Sequence, residues 1–245
     1  TTTPWTIPHN LAVMVNPKED YVKCEADGEI WFVAKNLVKN VEKITKRKLK
    51  ILEEWKGIDL EGYRYEHPFA DTIDFSSIRS KNLHTVVLSE QYVDTTVGTG
   101  LVHCAPGCGP EDYEVGHANG LSPFNLLDEF GVFKKGAGIF EGWIAKDDDP
   151  KFIKTFEDKG IITAKEKVTH DYAHCWRCHK PIVFRKTAQW FFKVEDIKEK
   201  MIKFNDKIKW VPHAAYNAFD SWLKNLRDNS ITKQRYWGCL LYTSD

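Results

Sequence analysis

Through the first two thirds of the chain, short apolar runs alternate with charged or glycine-bearing turns. Residues 11–15 (Leu-Ala-Val-Met-Val) are long enough for a buried strand and too short for a helix. Asp27-Gly28 lies between 21–23 and 30–32 with the chemistry of a hairpin turn. Over 34–45 the period changes, and Leu37, Val38, Val41 and Ile44 recur at helical spacing. Residues 86–88 and 101–105 read as further strands. A glycine-rich corner, Gly107-Cys108-Gly109, follows between two prolines, and Pro110-Glu111-Asp112 has the composition of a helix start. Asp147-Asp148-Asp149-Pro150 opens another helix, which Gly160 closes.

Near Val168 the pattern changes. Residues 175–181 form a compact cysteine-containing turn, 182–192 read as a β segment, and helices are predicted at about 194–205 and 216–227. The last carries Phe219, Trp222, Leu223 and Leu226 on one face. The pattern predicts an α/β domain over 1–167, a cysteine knuckle and linker over 168–192, and a helical piece over 193–238.

Composition narrows the function classes. At 42% hydrophobic and 13% aromatic, the 245 residues can build a real core, so disorder is not expected. Lys+Arg and Asp+Glu both number 35, which excludes a polyanion binder driven by bulk charge but not a local RNA site. No run approaches the roughly 18 apolar residues of a membrane span, and the chain does not open on a signal peptide. Six cysteines in a chain of this length do not make a disulfide framework, and Cys175-x-x-Cys178 suits a reducing compartment such as the cytoplasm.

Two strings carry the candidate chemistry. The first is Thr1-Thr2-Thr3-Pro4-Trp5-Thr6 with Asn10 close behind. Clustered hydroxyls both donate and accept, and so suit a pocket holding an ester carbonyl, a ribose hydroxyl and a water. A threonine-rich edge or turn is the plainer alternative. The second is Gly98-Thr99-Gly100-Leu101-Val102-His103-Cys104-Ala105-Pro106-Gly107, followed by Glu111-Asp112-Tyr113. Taken singly, His103 could be a satisfied strand histidine and Asp112 a helix-start carboxylate. A thiol-protease reading of His103 and Cys104 is disfavoured, because neighbours on a strand face opposite ways.

Together these strings resemble the editing domain of isoleucyl-tRNA synthetases. Arg64-Tyr65-Glu66-His67-Pro68, His174-Cys175-Trp176-Arg177-Cys178, Gln189-Trp190-Phe191 and Gln234-Arg235-Tyr236-Trp237-Gly238 continue the resemblance in order. The valyl and leucyl relatives carry an Arg where Pro4 stands. The resemblance implies a closed or nearly closed β-barrel with flanking helices, leading into a Rossmann-type catalytic domain. It also implies hydrolysis of valyl-tRNA(Ile), or of valyl-adenylate, by a parent isoleucine–tRNA ligase that is monomeric and uses ATP. A pocket for isoleucine also admits valine, since one methylene is worth only about 1–3 kcal/mol of discrimination, a magnitude taken from this family itself. By resemblance, Asp112 pairs with the substrate's α-ammonium and His103 shapes the wall that excludes isoleucine. Trp5 lines the substrate site, while Thr2, Thr3, Thr6 and Asn10 position the terminal adenosine, the ester and the water.

Cys175 and Cys178 are half of a tetrahedral thiolate site. Zinc-containing relatives supply the other pair from before the editing insertion, and no second C-x-x-C occurs in this sequence. A redox pair is the alternative. The amino end lacks the apolar strand the family carries ahead of the threonines, and the adenylation signatures are absent, so the chain is expected to be an internal piece. Residues 239–245 (Cys-Leu-Leu-Tyr-Thr-Ser-Asp) resemble a translated sequencing adapter, and no function is read from Cys239. Rival readings are a valyl-type editing domain, opposed by Pro4-Trp5-Thr6, and a non-catalytic zinc-knuckle RNA-binding module.

Overall fold

The computed structural model describes residues 1–231. The Gln234–Gly238 string (234–238) and the 239–245 tail lie outside the described residues. The chain divides into two compact units, Thr1–Lys186 and Thr187–Asp245. Residues 168–186 pack with the first of them.

The first unit is mixed α/β, built on two three-stranded sheets. β1 (Ala12–Val15) is the centre of one, pairing in parallel with β5 (Thr85–Leu88) and antiparallel with β6 (Val102–Cys104). The other has β2 (Asp20–Ala26) between β3 (Glu29–Ala34) and β4 (Lys50–Lys56), all antiparallel. The β2–β3 hairpin turns at Asp27 and Gly28, both with positive φ, as a two-residue turn of this kind demands. Both sheets are open, and no closed barrel is present among the described residues: β1 and β2, adjacent in sequence, recruit different partners. The barrel implied by the resemblance is therefore replaced here by two open sheets.

Helix α1 (Val38–Thr45) is preceded by a short 3-10 turn and ends with Lys46 in the left-handed region. α2 (Pro110–Ala118) and α3 (Asp149–Asp158) both carry a proline in their first two positions, Pro110 and Pro150, as their sequences predict. α3 turns Phe152 and Phe156, one helical turn apart, into the core. There they meet Phe69, Phe133 and Phe140 in a network of rings, with Phe140–Phe152 stacked at 5.3 Å. Trp5, Leu11, Met14 and Cys104 close the same core, whereas Tyr21, Val22, Val33, Leu37 and Val41 form a second core under β2 and α1.

In the second unit α4 (Lys198–Asn205) packs on α5 (Ala214–Lys224). Of the predicted α5 face, Leu223 is fully buried and Trp222 is exposed. The β segment expected over 182–192 shrinks to β7 (Phe191–Phe192), paired with β8 (Asn229–Ser230). No described strand runs beside 182–190, and without a lateral partner a strand cannot satisfy its backbone.

Candidate active site

A cavity of about 290 Å³ opens on the β5-β1-β6 sheet. Its lining includes Thr3, Trp5, Thr6, His103, Cys108 and Asp112, drawn from the two strings that stand out in the sequence. The sheet register brings them together: Val13 pairs with His103, and the chain ahead of β1 folds back over β6. That preceding segment, Pro4–His9, is a 3-10 turn rather than a strand.

The hydrogen bonds fix the protons. The Thr6 hydroxyl donates to the Thr3 carbonyl at 2.7 Å, so it is an acceptor toward His103 Nε2 at 3.0 Å. His103 therefore carries its proton on Nε2, leaving Nδ1 as a bare lone pair, buried and without a partner. Desolvation lowers the His103 pKa to about 4, so the ring is neutral near pH 7. A neutral imidazole anchored to a threonine is a stiff wall, not a cationic stabiliser.

Asp112 sits in the first turn of α2, where the helix dipole favours a carboxylate. Its Oδ1 accepts the Ala105 N–H at 2.9 Å, tying the helix start to the end of β6. Burial raises its pKa, the Ala105 hydrogen bond opposes this, and Glu111 adds to the rise. A Cβ on Gly109 would stand 2.5 Å from Asp112 Oδ2, so the glycine leaves the room this carboxylate occupies. A desolvated carboxylate on a cavity wall is suited to a small cation.

Neither nearby thiol is a nucleophile. Cys104 points away from His103, with Sγ 3.6 Å from the Asp112 carbonyl, and burial pushes its pKa well up. Cys108 lines the cavity, but burial raises its thiol too, and its sulfur accepts a 3.5 Å hydrogen bond from Asn125. Two predicted residues fall elsewhere. Thr2 is exposed and does not line the cavity. Asn10 is buried behind the wall, donating to the Ala12 carbonyl at 2.8 Å and accepting from the Tyr65 hydroxyl. In the other direction, Asp171, Tyr172, Ile182 and Phe184 line the cavity from a segment that reads as linker. Its apolar residues, set among polar ones, were the available signal.

Around Cys175 the chain makes a tight turn, with the Cys175 N–H on the Lys180 carbonyl and the His179 N–H on the Cys175 carbonyl. Among the described residues no group of three or more His, Cys, Asp or Glu side chains could hold a metal. Two thiols alone do not fit a tetrahedral zinc ion. No described helix is long and apolar enough to cross a membrane.

Residues 16–243 match the family model of class I tRNA synthetases (I, L, M and V). The isoleucine–tRNA ligase of Methanothermobacter thermautotrophicus is 41% identical over 239 residues, covering 97% of this chain and 22% of that protein. That of Aquifex pyrophilus is 39% identical over 250 residues, with 97% and 47% covered. The chain thus spans about a fifth to a half of the relatives it matches. Among solved structures, GlLeuRS-CP1 has the same fold over 68% of this chain and 82% of its own, with a TM-score of 0.52 and 16% identity. Because the family model spans nearly the whole sequence, the chain belongs to the class I tRNA synthetases.

Proposed function

We propose that this chain is the editing portion of an isoleucine–tRNA ligase and hydrolyses the valyl ester on the terminal adenosine of tRNA(Ile). The observation that carries the reading is the single cavity in which Thr3, Trp5 and Thr6 face His103 and Asp112. Asp112 takes the α-ammonium that every aminoacyl ester offers. Trp5 and neutral His103 bound the side-chain space, and the Thr3 and Thr6 oxygens order the ribose and the water. Water adds to the ester carbonyl, the carbonyl–ribose oxygen bond breaks, and valine leaves as the ribose hydroxyl regains its proton. An α-ammonium ester is already activated, so placing the water supplies much of the rate without a side-chain nucleophile. Valyl-adenylate offers the same ammonium and acyl group, and would enter by the same contacts.

In the whole protein, ATP-dependent attachment of isoleucine belongs to other parts of the chain, and the compartment is the cytoplasm. Cys175 and Cys178 would contribute to zinc only with a further donor pair from outside this sequence.

The test is deacylation by a full-length ligase carrying this chain. Asp112→Ala removes a charge-assisted contact worth about 1.5–3 kcal/mol, so valyl-tRNA hydrolysis should fall roughly 10- to 200-fold. Isoleucine attachment should be unaffected. Unchanged hydrolysis would remove Asp112 from the site. His103→Ala enlarges the wall by more than one methylene, and should begin to hydrolyse correctly charged isoleucyl-tRNA while retaining valyl hydrolysis. The preference for valine should shrink by at most roughly 200-fold. Equal loss of both activities would assign His103 to catalysis or structure instead.

A further inference from the structure

Three of the cavity's side chains hang on a weak element. The Pro4–His9 turn has six residues, no side-chain cap at its start, and prolines at positions 4 and 8 that donate no hydrogen bond. Left to itself such a turn would not hold Thr3, Trp5 and Thr6 in place. What grips it is the string Arg64-Tyr65-Glu66-His67-Pro68, to which the proposed chemistry assigns nothing.

His67 is 2% exposed and clamped between rings, stacked on His84 at 5.2 Å and 4.8 Å from Phe75. Its Nδ1 accepts the Phe69 N–H at 3.1 Å, which forces the proton onto Nε2. Nε2 then donates to the Ile7 carbonyl at 3.1 Å, beside the Asn10 N–H that reaches the same oxygen at 3.0 Å. Both lone pairs of that carbonyl are thereby engaged. Two residues earlier, the Tyr65 hydroxyl holds Asn10 Oδ1 just past the end of the turn. The string is itself anchored to β5, through an Arg64–Thr85 bridge and the Tyr65 N–H on the His84 carbonyl at 3.0 Å.

We propose that His67 is the positioning residue of the threonine wall: by holding the Ile7 carbonyl it sets where the Pro4–His9 turn presents Thr3, Trp5 and Thr6, with Tyr65 as its second clamp. This rests on the editing reading and adds to it a residue that touches no substrate.

Two isosteric cuts separate the two bonds of the ring. His67→Asn keeps an acceptor near the place of Nδ1, and with it the Phe69 bond, but cannot reach Ile7. His67→Gln keeps a donor near the place of Nε2. In the full-length ligase, His67→Asn should lower kcat for valyl-ester hydrolysis roughly 3- to 10-fold, leave KM within about twofold, and leave isoleucine attachment unchanged. His67→Gln should recover most of the rate. Tyr65→Phe, a gentler cut at the other clamp, should show the same split at smaller size. Wild-type rates in both His67→Asn and Tyr65→Phe would overturn the proposal. So would equal losses in Asn and Gln accompanied by a lower melting temperature, since His67 would then be a core residue only. Hydrogen exchange tests the clamp without any chemistry: the Thr6 and Asn10 amides should exchange faster in His67→Asn than in wild type. If wild type fails to hydrolyse valyl esters but this exchange difference is present, the editing reading fails and the clamp stands. Unchanged exchange overturns the clamp.

Discussion

The two sheets of the first unit are held by opposite means. Around β5-β1-β6 the histidines are sealed in and neutral: His9, His67 and the ring edge of His103 are buried beside a core of phenylalanines. β2-β3-β4 faces outward on one side, and its order is marked by charged pairs in the open. Lys23 meets Glu53 at 2.9 Å, Lys35 meets Glu54 at 2.7 Å and Lys56 meets Asp20 at 2.6 Å. The candidate site lies on the sealed sheet. Groups fixed in low dielectric hold their positions and protonation states, while exposed ion pairs are screened and exchange partners with water. The contrast predicts where the molecule is brittle.

The largest effect should come from emptying the sealed core. Phe152→Ala removes a fully buried ring that touches Phe133, Phe140 and Trp143, and should cost about 3–5 kcal/mol in urea unfolding. A cost below 1 kcal/mol would mean that the core can collapse around the gap.

Acid should come next. His67 has its pKa lowered to about 4 and His9 to about 3, both chiefly by burial. Below the ordinary histidine value of 6.5, the unfolded chain takes up protons that the folded chain refuses. Their contribution is therefore fully present above that value and is lost as pH falls toward the folded values. At pH 5 each costs roughly 2 kcal/mol. Asp112 and Asp149, whose pKa values are raised by burial, work in the opposite direction and trim the loss. Unfolding curves at pH 7 and pH 5 check the sum, and replacing His9 by an apolar residue should flatten the dependence. An equal stability at the two pH values would show that the histidines are not sealed.

The smallest effect is expected on the open sheet. Removing the Lys23–Glu53 pair by a double substitution should leave the melting temperature unchanged within scatter, and added salt should not alter that. A clear drop would erase the distinction between the sheets.

The same distinction governs what could be read from the sequence. β1, the Asp27-Gly28 hairpin, β6 and the starts of α2 and α3 are legible because apolar periodicity or turn chemistry marks them. β4 is not: Lys-Ile-Leu-Glu-Glu-Trp-Lys is exposed almost throughout, and cross-strand charges rather than a buried face accompany its pairing. The stretch 182–190 fails in the other direction, apolar enough for a strand but with no described strand running beside it. At the cavity, Thr3, Trp5, Thr6, His103 and Asp112 stand out by motif. Asn10 shares the motif but faces Tyr65 and Ala12, since spacing says nothing about which way a side chain turns. Tyr172, Ile182 and Phe184 reach the cavity through the path of an irregular segment, which no periodicity encodes.

The Thr6–His103 hydrogen bond joins residues 97 positions apart. Closing so long a loop is entropically slow, and nothing local rewards it before β6 has found β1. On the ribosome the cavity cannot exist until β6 and the first turn of α2 have emerged, so the threonine turn spends that interval without its far wall. The candidate pocket is then a late product of folding. Substitutions that slow β1–β6 pairing should delay the appearance of hydrolysis after dilution from denaturant more than they delay the recovery of helical signal.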